Sequence, residues 1–173
     1  MAETRDHDSE QQARGQLASI VDMVAALECD YDRLQELRDD RDGFEPEDGG
    51  PPTWAEANPD DAEELAELEG AAGDCESQEQ ARERIEEDPL SVQVRSDWHA
   101  PGEDPTDAGG QYEILLCTGG PACRIVGDLD DCCEPQMARI EHQDWGTPWT
   151  EHFPDADGRA ALLAYARCFC FGS

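Results

Sequence analysis

The chain has 173 residues, the length of one domain or of one small domain with an appendage. Its 43 acidic residues outnumber 12 basic ones, all arginine, and the formal net charge of −31 disfavours direct binding to nucleic acid or to an anionic membrane surface. The expected partner is therefore a basic surface.

Targeting signals are not evident in the sequence. No apolar run approaches the roughly 20 residues that span a bilayer, and the N-terminal residues lack the basic and then apolar pattern of a signal peptide. We therefore expect a cytoplasmic protein. In that compartment the 8 cysteines are expected to be mostly thiols, since disulfides are uncommon there.

The N-terminal half reads as helical. Residues 1–9 are polar and are predicted to form a disordered tail, followed by an acidic helical region over residues 10–88. Its first helix is predicted over residues 11–41, where apolar residues recur at steps of three and four. These positions are Leu17, Ile20, Val24, Leu27, Tyr31 and Leu34.

Further helix starts follow a loop rich in glycine and proline. Asn58 precedes Pro59 and two aspartates, the order of a capping side chain, a proline at the first helical position and carboxylates at the positive end of the helix dipole. Ser77 and Gln80 form a capping box, and the helix that they open is expected to end before Pro89. The acidic region thus contains two or three predicted helices.

Past residue 88 the apolar pattern changes to a period of two, which predicts strands. The densest apolar stretch, residues 112–126, predicts a buried β-hairpin that turns at Gly119 and Gly120. Residues 92–98 and 137–144 predict strands, and residues 155–170 predict a helix. We therefore expect an α+β fold in which residues 89–173 form a small antiparallel sheet covered by one C-terminal helix.

Three motifs in this half carry a resemblance: Ile-Leu-Leu-Cys-Thr-Gly-Gly-Pro-Ala at residues 114–122, Arg-Ile-Val-Gly-Asp-Leu at 124–129 and Gln-Asp-Trp-Gly-Thr-Pro-Trp-Thr at 143–150. The chain resembles a family of small acidic proteins from bacteriophages, prophages and mobile elements of proteobacteria. The resemblance covers most of residues 85–173. It implies a phage or mobile-element setting in a bacterial host, and it transfers no activity and no functional residue.

The acidic helices suggest a surrogate for nucleic acid. Six carboxylates between residues 60 and 69 give about one charge per 2.5 Å of helix, against one per roughly 3.4 Å along a DNA strand. Residues 1–88 hold 29 acidic residues and 7 arginines, a net charge of −22. The candidate partner-binding carboxylates are Asp30, Asp32, Glu36, Asp39, Asp40, Asp60, Asp61, Glu63, Glu64, Glu67 and Glu69.

Tryptophans supply a second candidate surface. Trp145 and Trp149 flank a Gly-x-Pro bend, and tryptophans beside a rigid turn often anchor protein interfaces. They would equally well close the end of a small core. Trp54, isolated in the acidic loop, allows the same two interpretations.

Metal binding and catalysis have weaker support. Six cysteines of the C-terminal half, with His142 and His152, could gather around the sheet, but the paired spacing of structural zinc sites is absent. Cys117, Cys123 and Cys168 are better interpreted as small buried side chains. No phosphate-binding loop, nucleophile elbow, metalloprotease motif or dinucleotide fingerprint occurs, so we expect neither an enzyme nor a cofactor.

The resulting hypothesis is a non-enzymatic anti-defence protein of a phage or mobile element. Its carboxylates would bind a basic nucleic-acid-binding surface of a host CRISPR effector or restriction enzyme, and so exclude DNA by mimicry. One alternative is a structural or regulatory interaction module whose acidity serves only solubility, including adaptation to high salt. The other is a cysteine and histidine metal-binding module.

Overall fold

A computed structural model describes residues 2–48, 50–96 and 110–172. Within these residues the chain forms six helices and one five-stranded antiparallel sheet, so the predicted α+β fold is confirmed. The helices are α1 (Ala2–Glu28), α2 (Tyr31–Asp42), α3 (Trp54–Ala57), α4 (Pro59–Ala72), α5 (Gln78–Glu87) and α6 (Ala156–Ala166). The strands are β1 (Ser91–Ser96), β2 (Gly110–Cys117), β3 (Ala122–Asp128), β4 (Arg139–Gln143) and β5 (Thr150–His152).

The chain divides into two compact units. The sheet unit comprises Met1–Val24 and Glu83–Ser173, and the helical unit comprises Ala25–Arg82. The helical unit is therefore inserted within the sequence of the sheet unit, whereas the sequence suggested two consecutive regions that meet near residue 88.

The strands of the sheet unit pair in chain order, from β1 at one edge to β5 at the other. The predicted hairpin forms β2 and β3, where Ile114 pairs with Ile125. Burial alternates strictly along both strands, as expected where one face of a sheet is covered and the other is open. Strand β5, which the sequence did not predict, pairs with β4 through only three residue pairs.

The covered face of the sheet packs on α1 and α6. Tyr112 of β2 is 2% exposed, and its ring centroid lies 4.8 Å from that of Phe171, which follows α6. Its hydroxyl donates a hydrogen bond to the Met137 carbonyl at 2.7 Å. On α6, Tyr165 is fully buried, and its hydroxyl donates a hydrogen bond to the Asp88 carboxylate at 2.6 Å. Burial is the main cause that raises the pKa of Tyr165, and the hydrogen bond to Asp88 is the second.

The helical unit has its own small core. Leu34 and Leu37 of α2 cluster with Trp54 of α3 and with Leu65 and Ala72 of α4. Trp54 is only 8% exposed, so in this structure it serves the core and not an external interface. Thr53 caps α3, the short helix that contains Trp54, by accepting a hydrogen bond from the Glu56 N–H.

The N-terminal helix differs from the prediction at both ends. Helix α1 begins at Ala2, whereas residues 1–9 were predicted as a disordered tail, and Ser9 is buried against the sheet. The helix predicted over residues 11–41 is interrupted at Cys29 and Asp30. The reason is local: the Asp30 carboxylate accepts the Arg33 N–H and starts a new helix as its N-cap.

The other predicted elements agree more closely. Helix α4 begins at Pro59 as expected, but the Asn58 side chain donates to the Trp54 carbonyl at 3.2 Å and makes no capping bond. Ser77 accepts the Gln80 N–H, as a helix start requires. The predicted end of the first strand at Trp98 lies outside the described residues.

Candidate partner-binding site

The candidate carboxylates of the helical unit fall into two groups, and the first is structural. Arg33 of α2 binds Asp61 at 3.1 Å and Glu64 at 2.7 Å on α4. Farther along both helices, Arg38 and Arg41 bind Glu69 at 3.2 Å and 3.3 Å. These carboxylates, which are among the predicted partner-binding residues, join two helices of the same unit. Asp30, from the same prediction, caps one of these helices.

The order of these ion pairs defines the arrangement of α2 and α4. Arg33, near the start of α2, binds Glu64, whereas Arg38, farther along α2, binds Glu69, which is also farther along α4. The two helices therefore run in the same direction, and the segment between them brings the chain from the end of α2 back to the level of its start. The arginines of α2 lie on the side that faces α4. On each helix, the side that faces away from the other helix therefore carries carboxylates and few arginines.

The second group forms two rows, which we call the acidic stripes. On α4 the stripe residues are separated by three and four positions, which places them on one helix face. On α2 the first three stripe residues show the same spacing, the fourth lies four positions after the second, and every stripe residue is exposed. The stripes consist of Asp32, Glu36, Asp39 and Asp40 on α2, and Asp60, Glu63 and Glu67 on α4.

Local contacts within the stripes are weak. Glu36 lies 3.5 Å from Arg33, one turn earlier, with its side chain 69% exposed, and Asp39 accepts a hydrogen bond from Gln35 at 2.7 Å. Exposed contacts of this kind contribute little to stability and exchange readily with a partner. The stripes therefore remain available to an external cation.

The electrostatic potential of the helical unit is strongly negative. It contains 20 acidic residues and 4 arginines, a net charge of −16. Arg33 lowers the pKa of Glu64, mainly through their hydrogen bond, so this carboxylate stays ionised to a lower pH than a solvated one. Such pairs offset part of the repulsion among its other carboxylates.

Replacing Arg33 should therefore change how stability depends on pH. Because the pKa of Glu64 is lower in the folded state, its ion pair stabilises the fold above the unfolded-state pKa of about 4.3 and loses that effect as the pH falls through the folded-state value. We expect Arg33→Gln to reduce the free energy of unfolding at pH 7, with the deficit relative to the wild type shrinking towards pH 3. Urea unfolding of both proteins at several pH values measures this deficit.

Arg82→Gln provides the control, because it removes the same charge from an exposed position of the same unit. Its difference from the wild type should be smaller at pH 7. An Arg33→Gln deficit that is equal at pH 7 and pH 3 would contradict a role for these ion pairs.

The two tryptophans of the second candidate surface have different environments. The side chain of Trp145 is 76% exposed and lies over the β2–β3 turn, where a Cβ added to Gly120 would meet its indole. Trp149 is half-buried, and the Arg124 guanidinium stacks on its ring at 4.1 Å from the centroid. Trp145 is therefore the better interface candidate, and Trp149 has an internal role.

Cysteines and histidines are distributed without forming a metal centre in the part of the chain that is described, where no group of three or more potential ligands lies close enough to hold an ion. Burial raises the pKa of the Cys123 thiol to about 12, so it behaves as a small apolar side chain. His142 is 4% exposed, and its Nδ1 atom lies 2.9 Å from Ser9 Oγ. His152 lies 4.0 Å from Glu10.

The chain matches no family model, no curated protein and no solved structure. Among the described helices, none has the length and hydrophobicity needed to cross a bilayer.

Sequence reasoning missed the roles of the arginines. It counted carboxylates along the chain but gave no weight to Arg33, Arg38 and Arg41, which lie within a few helical turns of one another on α2. Their spacing of five and three residues could have indicated that the three arginines lie near one side of α2. It would have indicated that some nearby carboxylates are occupied by intramolecular ion pairs.

Proposed function

We propose that this chain is a non-enzymatic anti-defence protein of a phage or mobile element, which acts in the bacterial cytoplasm by DNA mimicry. Its acidic stripes bind the basic nucleic-acid-binding surface of a host defence complex, either a CRISPR effector or a restriction enzyme. Bound there, the chain excludes DNA. It does not bind nucleic acid itself, because its net charge of −31 repels phosphates.

The observation that carries this proposal is the segregation of charge on α2 and α4. Arginines bind α4 carboxylates between the helices, whereas seven carboxylates remain exposed on the outer faces. The α2 stripe spans eight helical steps, or about 12 Å, and the α4 stripe lies level with it. Seven charges over that length give about one per 1.7 Å, the axial charge density of duplex DNA.

The family resemblance supports the proposed biological setting. Anti-defence proteins belong to phages and mobile elements, and the motifs at residues 114–122, 124–129 and 143–150 resemble a family from those sources. The absence of catalytic motifs in the sequence is consistent with inhibition by occupancy.

Affinity capture tests the proposal. The full chain, immobilised at 50 mM NaCl, should retain a nucleic-acid-binding protein from a bacterial host lysate, and excess 20-base-pair duplex DNA should release it. Because the contacts are electrostatic, apparent affinity should fall at least tenfold between 50 and 200 mM NaCl.

Immobilised polyglutamate is the control for simple ion exchange, and proteins that it also retains are discounted. A partner that stays bound in the presence of excess DNA and in 0.5 M NaCl would overturn the mimicry proposal, since a decoy must compete with the ligand that it imitates.

A second candidate function rests on the exposure of Trp145. An indole that is 76% exposed beside a rigid turn suits an interface anchor, and this would make the chain a structural or regulatory interaction module whose acidity serves only solubility. Such an interface would respond little to salt. Replacing Trp145 by alanine would then weaken partner binding more than neutralising the stripes.

A further inference from the structure

The open face of the sheet contains a cavity of about 320 Å³, at the small end of the range for small-molecule sites. Strands β2 and β3 form its floor, and residues of β1 and β4 form its sides. Although the chain is strongly acidic, three arginines line this one cavity: Arg95, Arg124 and Arg139.

The central arginine has partners within the fold. Arg124 binds Glu113 at 2.5 Å and Glu141 at 2.7 Å, and it stacks on Trp149. These contacts hold its guanidinium in place and satisfy its charge. Arg124 therefore builds the floor of the cavity.

The outer two arginines differ from Arg124. Among the described residues, no carboxylate lies within ion-pair distance of Arg95 or Arg139, although the sequence contains 43 acidic residues. Arg95 donates to the Gln111 side chain, and the buried Arg139 Nε atom has no hydrogen-bond partner in the described part of the chain. A buried, unsatisfied donor is costly unless a ligand satisfies it.

Strand order places these two cations on opposite sides of the cavity. Arg95 pairs in register with Gln111 of β2, whereas Arg139 pairs with Val126 of β3, which in turn pairs with Glu113. Their backbones are therefore separated by three strand spacings, or about 14 Å across the strands, and by two residues, or about 7 Å along them. Both side chains line the space between. A ligand with an anionic group at each end can contact both.

We propose that this cavity binds a small dicarboxylate, with one carboxylate on Arg95 and the other on Arg139. Guanidinium groups bind planar carboxylates through two parallel hydrogen bonds. Glu113 in the floor and Glu141 on the β4 side lie between the arginines and disfavour a compact dianion such as phosphate, whereas a dicarboxylate keeps its two charges apart. The site lies wholly in the sheet unit and is independent of the acidic stripes.

Isothermal titration calorimetry of the full chain at 150 mM NaCl tests this proposal with succinate and glutarate as probes. We expect saturable binding of at least one of them, and affinity at least tenfold higher than for propionate or inorganic phosphate. Arg139→Gln and Arg95→Gln should each weaken binding about tenfold, the effect of losing one charge-assisted contact. Arg139→Lys should restore part of the affinity, since it keeps the charge without the two-pronged geometry.

Arg159→Gln is the matched control, because this arginine is exposed on α6 and donates to the Pro154 carbonyl. It should leave affinity unchanged. Gln93→Glu adds a negative charge at an exposed position of the cavity wall, so it should weaken binding without disturbing the core, and circular dichroism checks the fold of each variant.

Three results would overturn the proposal. The first is no dicarboxylate binding up to 10 mM. The second is tighter binding of phosphate than of either dicarboxylate. The third is an equal loss of affinity in Arg159→Gln and Arg139→Gln, which would assign the effect to overall charge.

Discussion

Neutralising the acidic stripes should weaken partner binding at least 100-fold while leaving the chain folded. The variant changes Asp32, Asp39, Asp40 and Asp60 to Asn, and Glu36, Glu63 and Glu67 to Gln. If each of the seven carboxylates contributes about 0.5 kcal/mol, within the roughly 0.2–1 kcal/mol of an exposed ion pair, their joint loss of about 3.5 kcal/mol weakens binding on the order of 100- to 1000-fold at 50 mM NaCl. Binding of the captured partner, measured by surface plasmon resonance, checks this.

The fold should tolerate these changes. All seven side chains are exposed, and the Arg33, Arg38 and Arg41 pairs with α4 remain intact. Removing like charges also reduces repulsion within the helical unit, so its free energy of unfolding should stay equal or rise. Lost binding in this variant would therefore report the interface and not unfolding.

A control with the same net charge separates position from total charge. It neutralises seven other exposed carboxylates, and both variants then have a formal net charge of −24. We expect it to lose less than tenfold in affinity and to keep the salt dependence of the wild type. The control positions are Asp22, Glu83, Glu86, Glu87, Asp131, Glu134 and Asp157.

Equal losses in the two variants would show that only overall charge matters, which contradicts a specific decoy. Full affinity in the stripe variant, together with loss of binding in Trp145→Ala, would favour the interaction module instead. The two proposed functions thus make opposite predictions for the same pair of variants.

Gly127→Ala should strongly destabilise the sheet unit. Gly127 of β3 pairs with Tyr112, and a Cβ at this glycine would lie 2.0 Å from the Met137 carbonyl oxygen and 2.6 Å from the Tyr112 ring. Tyr112 would have to move, which breaks its hydrogen bond to Met137 and its contact with Phe171. We expect a loss of about 3 kcal/mol or more in the free energy of unfolding, at the upper end for overpacking.

Urea unfolding followed by near-ultraviolet circular dichroism measures this loss, because Tyr112 reports on the affected core. Gly15→Ala on α1 is the control: no atom lies within 4 Å of the added Cβ, and alanine is favoured over glycine in a helix by about 0.5–1 kcal/mol. Combining Gly127→Ala with Tyr112→Val should cost less than the sum of the two single changes, since the collision with the Tyr112 ring is removed, whereas the collision with the Met137 carbonyl oxygen remains. Strict additivity would contradict the collision with the Tyr112 ring.

Much of the sheet unit could be predicted from the sequence because its determinants are local. Alternating apolar residues and two consecutive glycines define β2, β3 and the turn between them. Strand β5 escaped prediction because three residues carry too short a pattern. The N-cap at Asp30 is also local, but a continuous apolar seam across residues 17–34 concealed it.

The candidate site was predicted less completely. The sequence correctly placed carboxylates at high density on helices, but it could not separate Asp61, Glu64 and Glu69, which bind arginines, from Asp60, Glu63 and Glu67, which are exposed. That separation depends on which side of α4 faces α2. Trp145 and Trp149, equivalent in the sequence, likewise differ only in their surroundings.

By itself, the sequence determined the fold class, the net charge of −31 and the positions of most helices and strands, since these follow from composition and from short-range periodicity. Only the tertiary structure decided which charges pair and which remain exposed. Arg33 and Glu64 are separated by 31 residues, and the Arg95 and Arg139 side chains reach one cavity from strands β1 and β4, on opposite sides of that cavity. Contacts between residues so far apart in the sequence depend on how the helices and strands pack. The residues of one strand or helix do not determine which residues of another element will lie opposite them.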